Sequence, residues 1–136
     1  MQNKFVRDLM SSEPATLKED ESLSIADRVM KLGRIRHMPV VDSEGRLCGL
    51  ISQRDLLFNA LSKAIGIGPE VMAHALAAVK VAECMTANPI SVSPDTSLAE
   101  AAKLMLANKY GCLPVVDGEK LVGIVTESDF VAAFAN

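Results

Sequence analysis

Apolar positions along the chain alternate between two spacings, and the alternation occurs twice. Leu23, Ala26, Val29 and Met30 recur at helical spacing, and so do Leu98, Ala101, Ala102 and Met105. Ser97-x-x-Glu100 opens the second stretch with a capping-box pattern. Each helical stretch is followed by two apolar runs around a turn. Leu113 to Val116 and Leu121 to Val125 flank Asp117-Gly118, which predicts a hairpin, and Val40 to Asp55 repeats the plan around Asp42-Ser43-Glu44-Gly45. A closing helix is expected from Thr126 onward, with Phe130, Val131 and Phe134 on its apolar side. Ile90-Ser91-Val92, just after the Asn88-Pro89 turn signal, reads as a short strand. Each copy is thus strand, helix, two strands, helix: an α+β chain of two βαββα units.

The copies also match residue by residue. Met10, Pro14, Asp20, Ser22, Leu23 and Ala26 are echoed by Met85, Pro89, Asp95, Ser97, Leu98 and Ala101, at a constant offset of 75. Pro39-Val40-Val41-Asp42 is echoed by Pro114-Val115-Val116-Asp117, and Gly49-Leu50-Ile51-Ser52 by Gly123-Ile124-Val125-Thr126. A repeat of this length is one supersecondary unit used twice, implying a pseudo-twofold in which a site in one copy is offered again in the other. The expected organisation is repeat 1 over 1–61, a helical insert over 62–80 and repeat 2 over 81–136, together one compact module. The insert is rich in Ala, Val, Leu and Met, which is not linker composition. A helix is expected from Pro69 or Glu70 to Val79 after the Gly66-Ile67-Gly68 break, packed on the body of the protein or on a partner chain.

Composition narrows the function. The chain has 136 residues, 49% hydrophobic and 23% charged, as in an ordinary globular domain. A net charge of −3 argues against binding nucleic acid or an anionic membrane, which would need a basic patch. Four Phe, one Tyr and no Trp leave few stacking platforms for single strands. The three cysteines, Cys48, Cys84 and Cys112, form no close pair and fit a reducing compartment. The N-terminal residues lack a signal-peptide core, and no apolar run reaches the roughly 20 residues that span a bilayer. A cytoplasmic location is expected.

No catalytic constellation stands out. His37 and His74 differ in setting, the carboxylates show no spaced pair, and no Walker loop, His-Glu-x-x-His or Cys-x-x-Cys occurs. The expectation is therefore no enzyme, no metal site and no catalytic cofactor. The chemistry-bearing motif is Ser52-x-x-Asp55 and its echo Thr126-x-x-Asp129, each where a strand ends and a helix begins. A helix N-terminus offers free N–H groups to an anion. A hydroxyl there can donate to a phosphate, and a carboxylate one turn on can accept from two ribose hydroxyls. The same pattern is also a capping box, worth about 0.5–2 kcal/mol to its helix.

The whole frame is apolar-Pro-Val-Val-Asp, a turn, then Gly-apolar-apolar-Ser/Thr-x-x-Asp, preceded by Met-x-x-x-Pro and Leu-x-x-Ala. It resembles the CBS domain, and two in tandem resemble a CBS pair, or Bateman module, from about Val6 to Phe134. The resemblance implies two units packed through their sheets, with two clefts near the pseudo-twofold that take adenosine compounds such as AMP, ADP, ATP or S-adenosylmethionine as regulatory ligands. It favours the binding reading of the junction motif, with Asp55 and Asp129 accepting from ribose hydroxyls and Ser52 and Thr126 donating to phosphate. Phosphate contacts would come from Arg36 and His37 before Met38-Pro39, and from Gly111 and Cys112 before Leu113-Pro114. Adenine would face Ser11, Pro14 and Ala15 in one copy and Thr86, Asn88, Pro89 and Ile90 in the other. Arg36-His37 against Gly111-Cys112 is a departure between copies, implying that the clefts bind different groups or that only one takes a phosphorylated ligand. A homodimer and a separate effector protein are further implications. Two other readings compete: an assembly module with vestigial clefts, and a redox sensor using Cys112.

Overall fold

The computed structural model describes residues 4–64 and 69–135, with the side chains of 59–64, 69–72 and 75 outside the description. The Gly66-Ile67-Gly68 break therefore lies outside the described residues. The chain divides into two compact units, Ala15–Pro89 (the central unit) and Met1–Pro14 with Ile90–Asn136 (the split unit).

The central unit contains α2 (Leu23–Gly33), β2 (His37–Val41), β3 (Leu47–Ser52), α3 (Gln53–Ala64), α4 (Pro69–Ala78), α5 (Val81–Cys84) and β4 (Thr86–Ala87). Its sheet runs β2-β3-β4, antiparallel throughout, with His37 opposite Ser52 and Leu50 opposite Thr86. Proline is tolerated at Pro39 because β2 is an edge strand. Leu23, Ala26 and Met30 on α2 pack with Met38, Val40, Ile51 and Leu56 into one core. Leu76 on α4 and Val79 just after it pack with this core. Main-chain bonds fasten this segment there: Leu23 N donates to Val79 O and Val81 N to Glu21 O.

The split unit contains α1 (Val6–Leu9), β1 (Ser11–Ser12), α6 (Leu98–Asn108), β5 (Cys112–Asp117), β6 (Lys120–Thr126) and α7 (Glu127–Ala135). Its sheet runs β1-β6-β5, with Ser11 opposite Ile124 and Cys112 opposite Thr126. Leu98, Ala101 and Met105 on α6 pack with Val6, Val92, Leu113, Val115 and Val125. Ser97 caps α6 by accepting from Glu100 N at 3.1 Å, as its pattern predicts.

One expectation is corrected, and two features go beyond what the sequence announced. The short strand of each copy lies within the Met-x-x-x-Pro segment, at Ser11–Ser12 and Thr86–Ala87, and not after the proline. Glu13 and Asn88 turn the chain at φ 51° and 50°, ending those strands, and Val92 makes only an isolated bridge to Val115. The units also differ from the sequence copies: β1 of the first copy pairs with β6 of the second, and β4 of the second with β3 of the first. Finally, the apolar side of α7 is mostly uncovered within the chain. Phe130 packs on the core, while Val131 and Phe134 are 68% and 78% exposed.

Candidate functional site

Each sheet ends at the same junction. In the central unit, β3 stops at Ser52 and α3 starts at Gln53; in the split unit, β6 stops at Thr126 and α7 starts at Glu127. The first helical N–H donates back to the residue that precedes the edge strand, Gln53 to Arg36 O at 2.8 Å and Glu127 to Gly111 O at 3.0 Å. Arg36 and Gly111 are therefore held beside the helix N-termini by main-chain bonds that no side-chain motif in the sequence announces.

The two aspartates behave alike in one respect. Asp55 Oδ2 accepts from Ser52 N at 2.9 Å, and Asp129 Oδ2 accepts from Thr126 N at 2.8 Å. Each carboxylate thus secures the last strand residue through one oxygen. Among the described residues, Oδ1 of each carries no hydrogen bond.

The hydroxyls differ. Ser52 Oγ accepts from Asp55 N at 3.1 Å, closing a reciprocal capping box. Thr126 Oγ1 donates to Asp129 Oδ2 at 3.2 Å, so its proton is already committed to the carboxylate. The Ser52 proton is not committed in this way.

The other candidate residues sort by unit. The central unit holds Ala15, Arg36, His37, Met38, Pro39, Ser52, Asp55, Thr86, Asn88 and Pro89; the split unit holds Ser11, Pro14, Ile90, Gly111, Cys112, Leu113, Pro114, Thr126 and Asp129. Ser11 accordingly shares a sheet with Thr126, and Thr86 with Ser52, the reverse of a copy-by-copy grouping. Met38, Pro39, Leu113 and Pro114 are buried strand residues whose side chains belong to the core. Arg36 is exposed and His37 half-buried. Glycine is needed where the swapped strand docks. A Cβ at Gly123 would stand 2.9 Å from Ser11 O, and one at Gly49 would collide with Met85.

The cysteines are poorly placed for thiolate chemistry. Burial, reinforced by the Asp129 carboxylate, pushes the Cys112 thiol up to about 12. Burial, together with a hydrogen bond to Glu19, pushes Cys48 up to about 11. Reactive cysteines need the opposite shift, so this geometry disfavours a redox role for Cys112. Among the described residues no group of three His, Cys, Asp or Glu side chains could hold a metal ion, and no helix is long and apolar enough to cross a membrane.

The model for the CBS domain matches residues 6–62 and again 81–136. A CBS domain-containing protein of Dictyostelium discoideum is 35% identical over 93% of this chain and 88% of its own. The crystal structure of CBSX2 in complex with AMP superposes with a TM-score of 0.82 at 28% identity, covering 96% of both chains. A CBS domain pair crystallised with methylthioadenosine and S-adenosyl-L-methionine superposes with a TM-score of 0.76 at 30% identity, covering 96% of this chain and 95% of that one. Some matches are larger enzymes: the chain is 35% identical to inosine-5'-monophosphate dehydrogenase of Mycobacterium bovis but spans only 21% of its length.

Proposed function

This chain belongs to the CBS domain family, carrying two copies in tandem, and on that premise we propose that it is a regulatory module that binds an adenosine ligand and passes its occupancy to a separate effector protein. The observation that carries the reading is the repeated aspartate at a strand-to-helix junction. Each holds its junction through Oδ2 and keeps Oδ1 for a ligand hydroxyl. The adjacent helix N-terminus favours negative charge. In this reading Asp55 and Asp129 accept from ribose hydroxyls, Ser52 and Thr126 line the same ends, and the Ser11 and Thr86 strands lie alongside to meet the base. The adenosine compounds bound in similar CBS structures support this ligand class.

Binding that favours one arrangement of the chain shifts its population toward that arrangement, which is how occupancy would reach a partner. A homodimer fits the same reading. Leu57 and Phe58 on α3 and Val131 and Phe134 on α7 are exposed apolar side chains that a second copy would cover. Sedimentation of the protein at micromolar concentration tests this: a dimer is expected, and a monomer contradicts it.

One observation favours a second reading. The Ser52–Asp55 box is complete without any ligand, so in the central unit these residues could serve as caps alone, within an assembly module. A ligand-panel thermal shift separates the two. AMP, ADP, ATP, methylthioadenosine or S-adenosylmethionine at millimolar concentration should raise the melting temperature, because a ligand bound to the folded state stabilises it by mass action. A panel that shifts nothing favours the assembly reading.

A further inference from the structure

The first turns that follow the two junctions carry different charge, neutral in one unit and doubly negative in the other. In the central unit, Ser52-Gln53-Arg54-Asp55 places one cation beside the single acid. In the split unit, Thr126-Glu127-Ser128-Asp129 places two acids and no cation. The residues pinned against those turns extend the contrast: the Arg36 carbonyl accepts from the first N–H of α3, and that of neutral Gly111 accepts from the first N–H of α7. Arg36 and Arg54 are exposed, and neither enters a salt bridge among the described residues. The neighbouring helix caps nearly cancel, with Arg34 after α2 matched by Lys109 after α6. The loops leaving β4 and β1 add to the contrast, with Asn88 in the central unit and Glu13 in the split unit.

The hydroxyls point the same way. Ser52 keeps its proton for an acceptor such as a phosphate oxygen, whereas the Thr126 proton is spent on Asp129. Two guanidiniums, a free hydroxyl proton and a helix N-terminus suit a phosphoryl group. Two carboxylates at the other helix N-terminus already supply the negative charge that end favours and repel a second anion.

We propose that the two ends are chemically specialised: the Ser52–Asp55 end takes a 5'-phosphorylated adenosine, and the Thr126–Asp129 end takes an adenosine whose 5' substituent is neutral or cationic. The proposal rests on the ribose-binding role given to the two aspartates. It assigns Arg36 and Arg54 as specificity-determining residues, and Glu127 as the residue that excludes phosphate from the other end.

The test is calorimetric titration of AMP and of methylthioadenosine into the full chain and into Asp55→Ala, Asp129→Ala and Arg36→Gln/Arg54→Gln. AMP binding should fail in Asp55→Ala and survive in Asp129→Ala, and methylthioadenosine binding should show the reverse. The double Arg variant should weaken AMP by at least about tenfold, as expected when a charge-assisted hydrogen bond is lost, and leave methylthioadenosine unchanged. Raising the salt should weaken AMP alone. If both Asp variants affect both ligands equally, or the Arg variant leaves AMP untouched, specialisation is overturned while ribose binding stands. If neither ligand binds the unmodified chain, the ribose reading fails and the specialisation with it. Circular dichroism of each variant establishes that a lost signal is not lost folding.

Discussion

The thioether sulfur of Met10 lies 2.8 Å from the place a Cβ on Gly123 would occupy. The two residues are far apart in sequence and belong to different copies of the repeat. They meet because β1 crosses to the edge of β6, where Ser11 pairs with Ile124. Met85 covers Gly49 in the same way at the β4–β3 pairing. The glycine in each Gly-apolar-apolar-Ser/Thr frame is therefore a docking surface for the short strand of the other copy, and it places Ser11 and Thr86 beside the junctions that carry Asp129 and Asp55.

Alanine at Gly123 should cost about 1–3 kcal/mol, the usual range for overpacking. Its Cβ would meet the main-chain oxygen of Ser11 as well as Met10, and a main-chain oxygen cannot swing aside. At Gly49 the three nearest atoms all belong to the Met85 side chain. Gly49→Ala should therefore be rescued by Met85→Ala, whereas Gly123→Ala should be only partly rescued by Met10→Ala. Urea unfolding of the four single and two double variants measures this; equal rescue at both sites would contradict it.

Arg34 ends α2 in the left-handed region, at φ 54° and ψ 39°, with its N–H on Met30 O. A side chain there costs about 1–2 kcal/mol that glycine avoids, less the entropy glycine loses on folding. Arg34→Gly should raise stability by about 0.5–1 kcal/mol. A lower denaturation midpoint would show that the Arg34 side chain makes up for its backbone.

Cys112 and Cys48 both have folded values above their ordinary 9.0, at about 12 and about 11. The folded chain then holds thiol protons that the unfolded chain has lost, so stability falls with rising pH. It should be complete below pH 9.0 and decline through the interval up to those folded values. Urea midpoints across this range should fall less steeply in Cys112→Ala. At neutral pH, iodoacetamide should modify Cys112 more slowly than a free thiol peptide; faster labelling would revive the redox reading.

Much of the fold was legible because its periodicities are strong. The α2 and α6 stripes, the two hairpins and the α4 helix all lie where apolar spacing and turn residues put them. The strand exchange was not legible, because β1 and β4 are two residues long and exposed, too short for any alternation to register. The signal that could have revealed it was the pairing of Met10 and Met85 with two glycines that no turn requires. Ser/Thr-x-x-Asp lies where strand gives way to helix, as its pattern predicts, but a sequence motif does not say which way a hydroxyl proton points. The Ser52 and Thr126 difference is a matter of hydrogen-bond direction and emerges only in three dimensions. The Arg36 and Gly111 carbonyl contacts were hidden for the same reason, being main-chain bonds. The exposed Val131 and Phe134 followed the apolar stripe of α7 without being buried by it.

The aspartates also contribute to stability, since each accepts a main-chain N–H at its junction. Asp55→Ala should cost about 0.5–2 kcal/mol through its cap, and Asp129→Ala a similar amount. Asn substitutions keep an acceptor oxygen and should recover part of this in urea unfolding. Equal losses for Asn and Ala at both sites would mean that the charge, and not the cap, carries the effect.

The central claim is that Asp55 and Asp129 hold the ribose of an adenosine ligand. The most direct measurement is calorimetric titration of AMP and methylthioadenosine into the unmodified protein and into the Asp55→Asn/Asp129→Asn double variant, which keeps the cap acceptors. Binding of at least one ligand to the unmodified protein and of neither to the folded double variant is the predicted result, since each lost charged hydrogen bond removes about 1.5–3 kcal/mol. Undiminished binding to the double variant would contradict the account.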